Sequence, residues 1–314
     1  MSENSKPLTK LSPICEGAAV GVISPASFAM PERVELGLEK LRQLGFSPKL
    51  GGNTQSRGPL FFAGSVEDRL ADLHAAFANP ETSFVAAVRG GYGSNYLLDG
   101  IDLKVIEQNS KPFLAYSDMT GLQCYLLDKL GLPAFHGPMV AADFYLENGV
   151  HLDSFQAAIA GLPYTLGRAE GLRTLKGGRA RGTLYGGCLS ILVAMIGTRW
   201  EPQTEGKLLF LEDVGTKPYQ IDRMLWHLRQ AGKLDGIRGI IFGEMLDCAS
   251  PGAPDDLLEN AILSALAGLD VPIVLGLRSG HVSRQNVTLT FGVEAELQAG
   301  DEAQLALLEP AVKS

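Results

Sequence analysis

Four short segments carry side chains capable of nucleophilic chemistry. Ser117 lies in Ala115-Tyr116-Ser117-Asp118-Met119-Thr120-Gly121, where an apolar run gives way to a helical pattern. A strand-to-helix turn can expose a serine and aim helix N-terminal N–H groups at whatever it attacks. The same position also suits a simple helix cap. The G-x-S-x-G elbow is absent, because Ala115 stands where its first glycine would be. Arg89-Gly90-Gly91-Tyr92-Gly93-Ser94 follows a second apolar run, and its glycines permit close backbone approach to a ligand. That turn could cradle phosphate, supply oxyanion N–H donors, or merely reverse the chain. It is no dinucleotide fingerprint: Tyr96 occupies the place of the third glycine, and no Walker lysine is present.

Glu212 ends the run KLLFLED, with Asp213 beside it. Strand ends are where α/β proteins place functional groups, but adjacency leaves open which carboxylate points inward, or whether both cap the next helix. His281 follows PIVLGL in the loop Arg278-Ser279-Gly280-His281. Of the other histidines, His74 and His227 fall in helical patterns, His151 near a helix start, and His136 after a short apolar run. No H-x-x-x-H pair supports a histidine metal site. A serine, a carboxylate and a histidine at three strand ends could meet across a domain interface. The histidine would then take the serine proton while the carboxylate fixes its tautomer.

The elements that must position these groups read as α/β. Ala18–Ser24, Phe84–Val88 and Pro112–Tyr116 are apolar enough for buried parallel strands, and Glu32–Leu44, Val66–Ala78 and Gly121–Leu130 have helical spacing. The stretch LPYTLGRAEGLRTLKGGRARG, 162–182, is basic and glycine-rich and reads as a linker or crossover. Strands at Lys207–Glu212, Ile237–Phe242 and Pro272–Leu275 and helices at Pro218–Gln230 and Asp255–Leu266 follow, then alternating β structure on either side of Gly292. The expected architecture is a Rossmann-like parallel-sheet domain over 1–165 and a smaller mixed α/β domain over 166–314. With 314 residues and a net charge of −8, the chain is an unfavourable partner for nucleic acid or anionic lipid. The opening MSENSKPLTKLSP has no secretory pattern, and four scattered cysteines (Cys15, Cys124, Cys188, Cys248) suit buried thiols rather than a disulfide framework or a zinc site, so a cytoplasmic protein is expected.

RGGYG, the strand ending YSD, the run LFLEDVGTKPYQIDRML, the late GH, and HGPM at His136–Met139 occur in an order that resembles the serine LD-carboxypeptidases, a family that includes microcin C self-immunity peptidases. The resemblance runs from about Val20 to Gly292. It implies a catalytic site at the junction of two domains and a homodimer. It also implies no cofactor and release of the terminal D-alanine from a murein tetrapeptide during peptidoglycan recycling. Ser117 becomes the nucleophile, Glu212 the acidic member and His281 the base, with Asp118 and Gly90 or Gly91 as backbone oxyanion donors. Arg89, beside that turn, is the expected partner of the substrate carboxylate; a surface ion pair is its alternative role. Two departures bear on the pocket: Gly186-Gly187-Cys188 in place of G-G-N, and Leu277-Arg278-Ser279 before the histidine. Rival readings are an immunity-type peptidase acting on an aminoacyl–nucleotide, a non-catalytic ligand-binding protein, and a nucleotide-dependent Rossmann enzyme.

Overall fold

The computed structural model describes residues 6–15, 17–249, 252, 254 and 256–313. Two sheets organise them. The first contains β1 (Ala19–Ile23), β2 (Ser47–Leu50), β3 (Thr82–Ala87), β4 (Phe113–Ala115) and β5 (Ala134–His136), all parallel, in the order β2-β1-β3-β4-β5. Helices Pro31–Gln43, Val66–Ala78 and Thr120–Leu130 lie between successive strands, as a doubly wound sheet requires. The strand order reverses between β1 and β3. Ligand crevices of open α/β sheets form at such a point, beyond the carboxyl ends of the strands. The turn at Arg89-Gly90-Gly91 leaves β3 there, and the Ser27 N–H donates to the Gly90 carbonyl from the loop after β1 (3.3 Å).

The second sheet runs β6-β14-β13-β8-β9-β10-β11-β7, from β6 (Tyr164–Leu166), β7 (Arg173–Lys176), β8 (Gly178–Cys188), β9 (Lys207–Glu212), β10 (Gly239–Gly243), β11 (Ile273–Leu277), β13 (Glu294–Ala299) and β14 (Gln304–Leu307). Its centre, β8 to β11, is parallel, and its flanks are antiparallel. The segment expected as a linker or crossover over 162–182 carries the chain into the second sheet and is itself part of it. β6, β7 and the start of β8 fall within it, its arginines Arg168, Arg173, Arg179 and Arg181 are exposed, and Arg179 and Arg181 both pair with Glu296 across the ladder. Glycine and arginine content there reflects an exposed sheet flank. The boundary expected at 165/166 falls inside β6.

The β structure on either side of Gly292 is present, but its halves diverge. β12 (Leu289–Phe291) returns to the first sheet, antiparallel to β5, while β13 joins the second. This return stitches the sheets together: His136 of β5 packs on Phe210 of β9 and Phe291 of β12, with ring centroids 5.2 Å apart in both contacts. Of the helix expected at Asp255–Leu266, Leu257–Ala265 is helical and Asp255 lies outside the described residues. The first five residues of the opening segment also lie outside them. Among the described residues no helix is long and apolar enough to cross a membrane.

Alternation along β9 sets the polarity of the junction. Leu208 and Phe210 join the core shared with the first sheet, whereas Leu209 and Leu211 pack on the far face with Ile221 and Leu225 of helix Pro218–Gln230. Side chains two apart share a face, so Glu212 continues the Leu208–Phe210 row into the junction and Asp213 turns away. At Gly186 of β8, φ is +141° and an added Cβ would sit 1.9 Å from the Phe210 carbonyl oxygen. Gly186→Ala should therefore destabilise the protein by about 2–4 kcal/mol through strain and overpacking. The check is a lower urea midpoint at unchanged m-value.

Candidate active site

Ser117 follows β4 with only Tyr116 between them and starts a short 3₁₀ turn, Ser117–Met119, that runs into helix Thr120–Leu130. Its φ is +66°, a left-handed conformation rare for a residue with a Cβ. The strain is confined to one residue and turns the hydroxyl out of the sheet plane toward a cavity of about 600 Å³. Gly90 is pressed against it: an added Cβ at Gly90 would lie 2.8 Å from Ser117 Cβ, 2.9 Å from its Oγ and 3.2 Å from the Asp118 nitrogen. Gly91, with φ of +102°, would meet Ser27 instead. A side chain at either position would block the turn. The N–H groups of Gly90 and Gly91 donate to no protein acceptor among the described residues.

Glu212 is 0% exposed, and its Oε2 accepts two hydrogen bonds from His281, one from Nδ1 at 2.7 Å and one from the backbone N–H at 3.1 Å. Gly280, with φ of +91°, makes this possible, because a Cβ there would lie 2.6 Å from Glu212 Cδ. Burial disfavours charge on both groups, and their mutual attraction overcomes it. Against its burial, Glu212 is held below the usual carboxylate range by the His281 charge and hydrogen bonds. Against its own burial, His281 is raised above the usual imidazole value of 6.5 by Glu212, with Asp213 and Asp143 adding to the effect. Asp213 is otherwise engaged. It lines the same cavity and accepts from Ser190 N–H (2.8 Å), Val214 N–H (2.9 Å) and Thr216 Oγ1 (2.8 Å), so it acts on the imidazole through its charge and not through a hydrogen bond.

Ser117 and His281 line the same cavity, together with Gly90, Gly91, Asp118, Arg89, Tyr116 and Cys188. Ser117 and His281 do not hydrogen-bond to each other in this structure. Catalytic contacts of this kind often tighten only with substrate bound. Arg89 is exposed at the cavity wall and forms no ion pair among the described residues, which leaves its guanidinium free for a ligand. Arg33, from the first turn of helix Pro31–Gln43, is a second cation on the wall. Of the two sequence departures, Cys188 does face the cavity, at the end of β8 beside Glu212. Arg278 instead donates to the Ala169 carbonyl and stays off the cavity wall.

Several residues that hold the site together gave no signal in the sequence. Asn286 clasps the histidine turn with two bonds of 3.0 Å to Gly280, its side-chain carbonyl accepting from Gly280 N–H and its amide donating to Gly280 O, and also donates to Asp143 Oδ1 (3.1 Å). Burial pushes Asp143 up to about 6, against the bonds it accepts from Met139 N–H and Asn286. The Tyr116 ring meets His281 edge-on with centroids 5.1 Å apart, which limits how the imidazole can tilt. His136 belongs to the junction core, where burial lowers it to about 4 and keeps it neutral.

Chains of known kind match this one over nearly its whole length. A model of the LD-carboxypeptidase N-terminal domain matches residues 20–137, and one of the LD-carboxypeptidase C-terminal domain matches 181–297. A probable murein peptide carboxypeptidase of Bacillus subtilis is 34% identical over 95% of this chain and 93% of its own. The murein tetrapeptide carboxypeptidase of Pseudomonas aeruginosa is 32% identical over 89% of this chain and 92% of its own. The crystal structure of a muramoyltetrapeptide carboxypeptidase from Oxalobacter formigenes superposes with a TM-score of 0.83 at 26% identity, covering 95% of this chain and 100% of that one. Within the site itself, the His281 imidazole should titrate above 6.5 by NMR. Glu212→Gln should bring that midpoint down, because burial then acts on the ring without its counter-charge. An unchanged midpoint would contradict the pairing.

Proposed function

Because the chain belongs to the LD-carboxypeptidase family and is a serine-type hydrolase of that kind, we propose that it releases the terminal D-alanine of a murein tetrapeptide, with Ser117, His281 and Glu212 as its catalytic triad. The observation that carries this reading is the buried Glu212–His281 pair opening onto the cavity into which the strained Ser117 projects. Ser117 Oγ attacks the carbonyl before the terminal residue. His281 Nε2 takes the serine proton and returns it to the leaving amine, while Glu212 holds Nδ1 protonated and stabilises the imidazolium. The tetrahedral oxyanion lies between the Asp118 N–H and the Gly90–Gly91 turn, where each donor contributes about 2.7–4 kcal/mol to transition-state stabilisation. Water then attacks the acyl-serine and repeats the proton relay in reverse.

Arg89 is the proposed partner of the substrate's terminal carboxylate, since a free guanidinium can grip it with two parallel hydrogen bonds. The scheme calls for no metal and no cofactor. Homodimeric assembly and action in the cytoplasm on recycled peptides belong to the same proposal. An aminoacyl–nucleotide substrate finds less support. Among the described residues that line the cavity, Tyr116 is the one phenyl or indole-type aromatic, and its ring is already engaged by His136 and His281.

Incubation with L-Ala–D-Glu–diaminopimelate–D-Ala should release D-alanine, read by mass spectrometry, at a rate that EDTA leaves unchanged. Ser117→Ala and His281→Ala should each lower kcat by about 10⁴–10⁶, and Glu212→Gln by about 10⁴, with the fold intact by circular dichroism. Wild-type turnover by Ser117→Ala would remove the nucleophile assignment. Preferential cleavage of an aminoacyl–nucleotide would replace the substrate.

A further inference from the structure

The glycine turn and the nucleophile turn come from different strands, yet an oxyanion hole built from both needs their N–H groups fixed to a fraction of an ångström. A buried set of side chains outside the catalytic triad joins them. Ser94, at the end of the glycine turn, donates its N–H to Asp118 Oδ2 (2.8 Å) and its hydroxyl to the Asp118 carbonyl oxygen (2.6 Å). Arg69, from helix Val66–Ala78, reaches beneath the same turn. Its Nη1 donates to the carbonyls of Gly93 (2.8 Å) and Pro25 (2.9 Å), and its Nε to that of Ser65 (3.2 Å).

Arg69 is 1% exposed, Ser94 1% and Asp118 4%, an unusual depth for an arginine and an aspartate with no direct ion pair between them. The guanidinium also lies over the Phe62 ring, 4.9 Å from its centroid. Its Nη2 has no hydrogen-bond partner among the described residues. Burying such a group with one nitrogen unmatched is unfavourable in itself, so this is a local cost accepted where the backbone must be held. Neither Arg69 nor Ser94 is part of the cavity wall.

We propose that Arg69, Ser94 and the Asp118 carboxylate are positioning residues that set the spacing between the Gly90–Gly91 donors and the Asp118 N–H. Arg69 fixes the glycine turn, at the Gly93 carbonyl, to the Ser65 carbonyl at the N-cap of its own helix and to the Pro25 carbonyl in the loop after β1. Ser94 then ties that turn to the residue following the nucleophile with two bonds, both donated by Ser94, one to the Asp118 carboxylate and one to its backbone carbonyl. The clamp acts on donors that matter only when the carbonyl oxygen becomes an oxyanion, so its loss should appear in the chemical step and not in ground-state binding. The inference rests on Ser117 as nucleophile.

The test is steady-state kinetics on tetrapeptide and on p-nitrophenyl acetate, a small activated ester that carries no murein element but needs the same donors. Ser94→Ala should lower kcat about 10–100-fold on either substrate, with KM changed less than about threefold, and Ser94→Thr should recover most of the loss. Arg69→Lys, which keeps the charge but loses the forked donor set, should lower kcat in the same way. If Arg69→Lys does not fold, the Ser94 pair alone decides. Affinity of tetrapeptide for Ser117→Ala, by calorimetry, should not change when Ser94→Ala is added. A kcat for Ser94→Ala within twofold of wild type overturns the clamp, as does an equal loss in substrate binding. Wild-type protein that hydrolyses the ester but spares the tetrapeptide would count against the proposed substrate, while the ester data still decide the clamp.

Discussion

A carboxylate with no exposure to water needs a partner to stay charged, and in this protein Glu212 has His281. Removing one member of such a buried pair typically costs about 3–5 kcal/mol, because the other is left uncompensated. The arrangement around the pair follows from that constraint. Gly280 has no side chain so that the carboxyl group can approach, Asn286 clasps the turn from the other side, and Tyr116 bounds the imidazole edge-on. One oxygen of Glu212 takes both His281 donors, and Oε1 has no partner among the described residues. The pair is therefore specified by direction as well as by charge.

Opposite it stands a backbone under strain. A non-glycine residue in the left-handed region costs about 1–3 kcal/mol, and such residues persist where surrounding structure over-determines them. At Ser117 that structure is β4 on one side, a helix on the other and Gly90 pressed against the side chain. Both sheets present the carboxyl ends of their parallel strands to one cavity: β3 and β4 bring the glycine turn and the serine, β9 and β11 the carboxylate and the imidazole. A doubly wound unit and a mixed-sheet unit meeting at their strand ends give a reaction site that neither has alone. The return of β12 to the first sheet keeps their relative position fixed through an apolar junction.

Much of this arrangement is legible in the residues alone. Apolar runs mark β1, β3, β4, β9 and β10, and helical spacing marks Glu32–Leu44 and Val66–Ala78, because burial on both faces or on one stripe leaves a direct trace in residue type. What escaped was set by tertiary partners. The segment 162–182 looks like a linker because exposed flank strands are polar on the outside and glycine-rich where they twist. The choice between Glu212 and Asp213 is written in the alternation of β9, yet reading it requires knowing which face of the strand meets the other sheet. Asn286, Asp143 and Arg69 are ordinary polar residues in ordinary contexts until folding buries them. Short strands such as β2 and β5, of four and three residues, carry too little pattern to stand out.

The most direct measurement is a crystal structure of the Ser117→Ala variant with uncleaved tetrapeptide bound. The account predicts the scissile carbonyl carbon facing position 117 and its oxygen about 2.7–3.1 Å from the Asp118 N–H and a glycine N–H of the Gly90–Gly91 turn. The leaving nitrogen should lie within hydrogen-bond reach of His281 Nε2. A peptide seated with its scissile bond away from position 117, or with that nitrogen beyond the reach of the imidazole, would contradict it.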